Sequence, residues 1–495
     1  MKKLFIISLV FLIGFTFSCK KKDDGTTTTD NNSGGTLDLP DGYATSSKTN
    51  IFDLTYGGSG NNDDELTSGM VSDNSGNSYI SMNVTDATAN KSIVVVRVNS
   101  DGSLGWGKKY DDGSKDWSND SGENAETGGT AGSISIDSDG NIYAIATSDS
   151  KGYCILVLKI NPSDGSIIWQ KRWKPEWPTG YPTGSQDAEG YAIDASGDYV
   201  YFTGTVGSNE TVVGALDKSN GAIVFQYALN VSSSKSRGYA IKEDGSGNLF
   251  VGGVDGSYAY FAKINNANTA SPALAWIKHA GLSYGARING IDIDNSGVYF
   301  SCDIRGVDTY FQVMKIDFSG NFLWGKKFPG INDRNNTHVV KISGDYLFAG
   351  GRIGESGMDL MGESLLLKLS KDNGAQVWAG MYYTGKMSDE SAEHRIKGIS
   401  VVGSNIYVAG QVYGGNDNTE KFSGEWVENA SLKVSDASAS FSDISTSTFT
   451  EFQTGAVEDG TINVSDYSTG ILQKSADKKT DNPPDCDTFI MKLAL

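Results

Sequence analysis

The chain has 495 residues and a formal net charge of −19, with 61 Gly, nine Pro, four Cys and three His. A surface this acidic repels nucleic-acid phosphates, which excludes that class of partner. No CxxC and no closely spaced histidine pair occurs, so neither a disulfide framework, nor structural zinc, nor any cofactor is expected.

Lys2 and Lys3, followed by the apolar run from Leu4 to Phe17, read as a secretory targeting segment. The run is too short for a good transmembrane span. Ser18-Cys19, a small residue before a cysteine, resembles the processing site of a bacterial lipoprotein. The resemblance implies removal of residues 1–18 and lipidation of Cys19, with palmitate among the chains. Lys20-Lys21-Lys22-Asp23-Asp24 resembles the export tag of certain Gram-negative surface lipoproteins. An outer-membrane, surface-exposed lipoprotein is what these resemblances imply, touching the membrane through its anchor alone. Residues 19–48 are mostly Thr, Asp, Asn, Ser and Gly, and read as a disordered tether.

Residues 49–495 carry a repeat of strands. A strand, a turn and a second strand recur near 68–82, 131–147, 190–204, 238–253, 288–302, 337–351 and 397–410. Turns rich in Asp, Asn and Gly make these hairpins tight. An apolar third strand follows seven times, from Ile93-Val98 to Phe489-Leu493. An aromatic fourth strand closes six repeats, at Trp106, Trp169, Phe225, Trp276, Trp324 and Trp378, spaced by 48 to 63 residues. The missing seventh stands at the front, Ile51 to Tyr56. Strand repeats of this length predict an all-β fold, a seven-bladed β-propeller of four-stranded antiparallel blades. The N-terminal strand is expected to complete the C-terminal blade and so close the ring.

Five turn glycines precede the aromatic by four residues: Gly102, Gly165, Gly221, Gly320 and Gly374. This spacing resembles the tryptophan-docked repeat of quinoprotein-like propellers. Hairpins such as Asp73-Asn74-Ser75-Gly76-Asn77-Ser78-Tyr79 resemble a bacterial seven-bladed propeller repeat. The resemblance implies fold, not activity, because the adjacent cysteines of a quinone site are missing. The aromatics are expected to be packing pegs between blades, and Cys154, Cys302 and Cys486 small packing residues.

The long connections, 111–130, 174–187, 329–336, 351–363, 384–395 and 411–486, all belong to the two loop classes that share one face. That face is the expected binding surface, for a glycan or an envelope or surface protein; a monomer is expected. Trp117, Trp177 and Tyr181 are candidate stacking aromatics in its loops. Glu189, Arg237, Arg287, Asn289, His338, Arg395 and Lys397 begin the inner strands and point to the channel mouth. Trp426 sits in the largest insertion, 411–486, read either as a flap over the mouth, with extra hairpins, or as a decorative loop. The competing reading is a polysaccharide hydrolase or lyase using Glu189 or a loop carboxylate. No metal site is expected.

Overall fold

The computed structural model describes residues 43–45, 50–57, 64–85, 91–111, 132–148, 154–176, 187–207, 210–231, 235–256, 258–280, 286–304, 310–329, 335–355, 360–383, 394–413, 425–429, 435–439, 441–444, 448–451, 453–458, 462–466, 471–474 and 486–495. All lie in one compact unit, Leu39–Leu495.

Alternating turn residues and β-branched runs give seven antiparallel sheets, the blades of a propeller. Their inner strands, blades 1 to 7, are Asp64–Ser72, Ile134–Ile136, Ala188–Ser196, Ser236–Glu243, Arg287–Asp294, Asn336–Ser343 and His394–Val402. Strands in the middle of a blade are covered on both faces and read as continuous apolar runs; Cys154–Ile160 is buried at all but Lys159. Cys154 and Cys302 are buried packing residues. Blade 7 closes the ring as its sequence pattern requires. Asn50–Gly57 pairs with Cys486–Ala494, Asp53 opposite Met491 and Thr55 opposite Phe489.

The fourth-strand aromatics bind neighbouring blades together. The indole N–H of Trp106 donates to Pro162 O at 3.0 Å, Trp169 to Lys218 O at 3.1 Å, Trp276 to Phe318 O at 3.3 Å and Trp324 to Lys371 O at 3.2 Å. Each acceptor lies in a turn of the next blade, over that blade's own turn glycine. A Cβ on Gly374 would lie 2.8 Å from Trp324, and one on Gly165 2.9 Å from Trp106. Both glycines also have positive φ. The junction of blades 3 and 4 departs on both sides at once. Blade 3 presents Phe225, which has no donor, and blade 4 turns through Asn266 at φ 57° without a glycine. At the closure Phe52 takes the tryptophan's place against Gly102.

The insertion 411–486 does something its sequence did not disclose. It retraces the ring in reverse and lays one antiparallel strand on the outer edge of every blade. Glu425–Asn429 lies on blade 6, Ser435–Asp436 on blade 5, Phe441–Asp443 on blade 4 and Thr448–Glu451 on blade 3. Gln453–Glu458 follows on blade 2, Asn463–Asp466 on blade 1 and Ile471–Lys474 on blade 7. These strands form a belt, which corrects both the flap and the hairpin expectations. The physical reason is edge pairing: every fourth strand offers an open row of N–H and C=O groups. Belt aspartates face fourth-strand lysines, Lys108–Asp466 at 2.5 Å, Lys278–Asp443 at 3.3 Å and Lys326–Asp436. Phe449 stacks on Tyr227 with centroids 4.3 Å apart. Tyr43–Thr45 adds a further strand outside Glu425–Asn429, so the tether expected over 19–48 is structured at its end.

Candidate functional site

Each inner strand starts on the long-loop face, and six of the seven carry a bulge near that start. A bulge inserts one extra residue and re-aims its side chain. The extra residues are Ser68, Tyr191, Tyr239, Asn289, His338 and Lys397. Two positions earlier stand Leu66, Glu189, Arg237, Arg287, Asn336 and Arg395. The fold thus gathers all seven predicted ring residues, Glu189, Arg237, Arg287, Asn289, His338, Arg395 and Lys397, on one end of the channel. The bulge was not foreseen, and neither were Tyr191 and Tyr239, whose rings lie 5.1 Å apart. Their Gly-Tyr-Ala context in two successive repeats was the available signal.

The ring is unequal in chemistry. Blade 1 presents the small Ser68, blades 3 and 4 the two tyrosines, and blades 5 to 7 Asn289, His338 and Lys397. Glu189 accepts the Tyr191 hydroxyl; burial first, then the Glu189 charge, drives the Tyr191 phenol well above its ordinary value. Arg287 lies over the Tyr239 ring, 5.6 Å from its centre, and its Nε donates to both oxygens of Asp303 at 3.1 and 3.0 Å. Asn289 Nδ2 reaches the next blade at Thr337 O, 2.8 Å away. His394 pairs with Glu363 at 3.1 Å. Burial, then the charges of Lys397, Arg395, Arg287 and Arg352, hold the His338 imidazole well below its ordinary value. Arg395, Lys397 and His338 are at most 1% exposed. Glu189 and Arg237 are only partly covered.

A cavity of about 130 Å³ is bounded by Val71, Gly132, Ala192, Ala240, Asn289 and Val339 among others. Toward the plain face the inner strands are latched to one another. Ser135 Oγ accepts from Ala195 N at 3.0 Å, Asp194 from Glu243 N at 2.9 Å and Asp292 from Ile342 N at 2.8 Å. Lys242 and Lys341 pair with Asp194 and Asp292 at 2.6 and 3.2 Å.

Trp426 is not at the mouth. It sits in the belt on blade 6, 4% exposed, edge-on to Trp378 at 6.2 Å, because the insertion follows the circumference. Trp117, Trp177, Tyr181 and Cys19 lie outside the described residues. Among the described residues no group of three His, Cys, Asp or Glu side chains is placed to hold a metal ion.

No protein-family model matches the chain, and no curated protein matches its sequence. Among solved structures it is similar to the WD40 β-propeller domain of Doa1, with TM-score 0.40 and 10% identity over 75% of this chain and 96% of that one. It is also similar to the quinohemoprotein alcohol dehydrogenase ADHIIG of Pseudomonas putida HK5, with TM-score 0.35 and 11% identity over 71% of this chain and 64% of that one. A third similar structure is the extracellular domain of BT4673 from B. thetaiotaomicron, with TM-score 0.29 and 10% identity over 74% of this chain and 51% of that one. Likeness at this level carries no functional argument; the fold rests on the strand pairing above.

Proposed function

We propose that this chain is a lipid-anchored envelope or cell-surface propeller that binds a glycan or a surface protein through its long-loop face. One observation carries the reading. On that face, bulged inner strands gather Glu189, Arg237, Arg287, Asn289, His338, Arg395 and Lys397 at one end of the channel. Charged and hydrogen-bonding groups on rigid strands at a channel end are preorganised for a polar ligand. The anchor accounts for Cys19 and the residues before it.

The test has two arms. Labelled palmitate is incorporated into the chain in its host and lost in Cys19→Ala. Detergent-purified protein is applied to an array of bacterial and host glycans and used to capture envelope proteins. Specific binding, lost on charge reversal at Arg237→Glu, supports the reading. Retention of neither glycan nor protein sinks it, and release of shortened products from a bound glycan replaces it with the enzyme.

A further inference from the structure

We propose that a groove on the circumference, between the belt strand of blade 1 and the fourth strand of blade 2, docks an extended segment of a partner protein that presents aliphatic side chains at alternate positions. This surface is separate from the long-loop face and does not rest on the reading given for it.

The first observation is exposed apolar surface. Ile168 and Val464 are 49% and 39% exposed. They line one groove of about 620 Å³, together with Ile167, Trp169, Gln170 and Ile462. A single exposed aliphatic needs no explanation, but two that share a concave wall mark a contact surface.

Neither side chain is demanded by the fold. Ile168 is the extra residue of a β-bulge, since the register jumps from Ile167 to Trp169, and a bulge re-aims its side chain. The same bulge precedes the peg aromatic in blades 1 and 4, where it holds Gly105 and Ala275. The bulge therefore serves the peg without a large side chain. Val464 is the one apolar residue of Asn463–Asp466, a strand exposed along its whole length.

The kind of occupant follows from the strand edge beside the groove. Belt strand Gln453–Glu458 pairs with the fourth strand of blade 2 from Glu176 back to Arg172, which lies opposite Glu458. From there the fourth strand runs back to Ile167 along the groove. No strand among the described residues pairs with that stretch of its outer edge. An extended segment would continue the row that the belt begins, with every second side chain turned to the groove. The bulge at Ile168 interrupts the ladder, so side chains must carry most of the affinity. Gln170 Oε1 is buried and makes no hydrogen bond among the described residues, which leaves an acceptor for an incoming N–H. A net charge of −19 opposes an anionic bilayer as the alternative cover.

Selection from a phage-displayed library tests this on the full chain in detergent, with peptides about eight residues long to span the edge in extended form. Phage are first depleted on the Ile168→Thr/Val464→Thr variant. That variant keeps β-branched side chains at exposed sites and is expected to match wild type in thermal unfolding. Enriched peptides are expected to alternate aliphatic and other residues. A synthetic one is expected to bind the variant about tenfold or more weakly than wild type in fluorescence polarisation. Leu323→Thr, at the same bulge position in blade 5, is expected to leave its affinity unchanged. Failure to enrich any peptide overturns the proposal. So do enriched peptides without alternating aliphatics, equal affinity for wild type and the double variant, or an equal loss in Leu323→Thr. Self-association of wild type in sedimentation, lost in the double variant, assigns the groove to a second copy and overturns it too.

Discussion

The tryptophan-on-glycine junction permits an internally controlled test within a single blade. Gly344 and Gly374 both lie in turns of blade 6, with φ of 57° and 69°. A Cβ at Gly344 meets nothing within 4 Å, whereas at Gly374 it would meet Trp324 and Lys326 at 2.8 Å. Gly344→Ala therefore carries only the left-handed backbone, about 1–2 kcal/mol. About 0.4–1 kcal/mol of that is returned by the stiffer unfolded chain. Gly374→Ala adds displacement of the Trp324 indole, only 9% exposed, and of its bond to Lys371 O. A lost hydrogen bond costs about 1 kcal/mol and forced repacking about 1–3 kcal/mol. The expected costs are thus about 1 kcal/mol for Gly344→Ala and about 3 kcal/mol or more for Gly374→Ala. Urea unfolding followed by tryptophan fluorescence and by circular dichroism measures both. In a Trp324→Phe background the excess at Gly374 should shrink, since the smaller ring leaves room and has no N–H to strand. Equal costs for the two alanines, or an excess at Gly374 that persists undiminished in that background, would refute the peg-and-socket account.

Other outcomes follow from the same structure. Deletion of residues 1–57 removes the strand paired with Cys486–Ala494 and is expected to abolish cooperative unfolding in a denaturant titration. Phe449→Ala removes a ring stacked on Tyr227 and is expected to cost about 0.5–1.5 kcal/mol beyond lost area, read as faster amide exchange over Tyr227–Asn230. Asp436→Ala removes a pair whose carboxylate is 88% exposed, and a change below about 1 kcal/mol is expected in the same titration. His338 has a depressed folded pKa, so the unfolded chain binds its proton more readily. Stability should be full above the unfolded value near 6.5 and fall as pH drops below it, until the imidazole protonates in the fold. His338→Asn should flatten that part of the pH profile. An identical slope in the variant assigns the loss to other groups.

Most of the fold was legible because its determinants are local. Asp73 accepts from Ser75 N, Asn77 N and Asn77 Nδ2 inside one hairpin, and such a motif can be read from seven consecutive residues. The offset closure was legible from counting, since Ile51 to Tyr56 supplied the one fourth strand otherwise missing. The belt was not. Its strands are two to six residues long, largely polar, and gain their conformation from the edges they meet rather than from their own periodicity. The ring of charges was legible as positions, but its burial was not, because burial depends on seven strands converging from across the chain. Trp426 shows the same limit: an aromatic among polar residues reads alike whether it faces solvent or a neighbouring blade.

Asn50–Gly57 is flanked on both sides, by Cys486–Ala494 and by Ile471–Lys474. Tension arriving through the residues that precede it acts along the strand, loading both ladders in shear so that their bonds must yield together. A tug on the leading end would first peel the short edge strand Tyr43–Thr45 and then meet a segment tied on both sides. Once that segment slipped, the first and last blades and the final stretch of the girdle would let go in the same event.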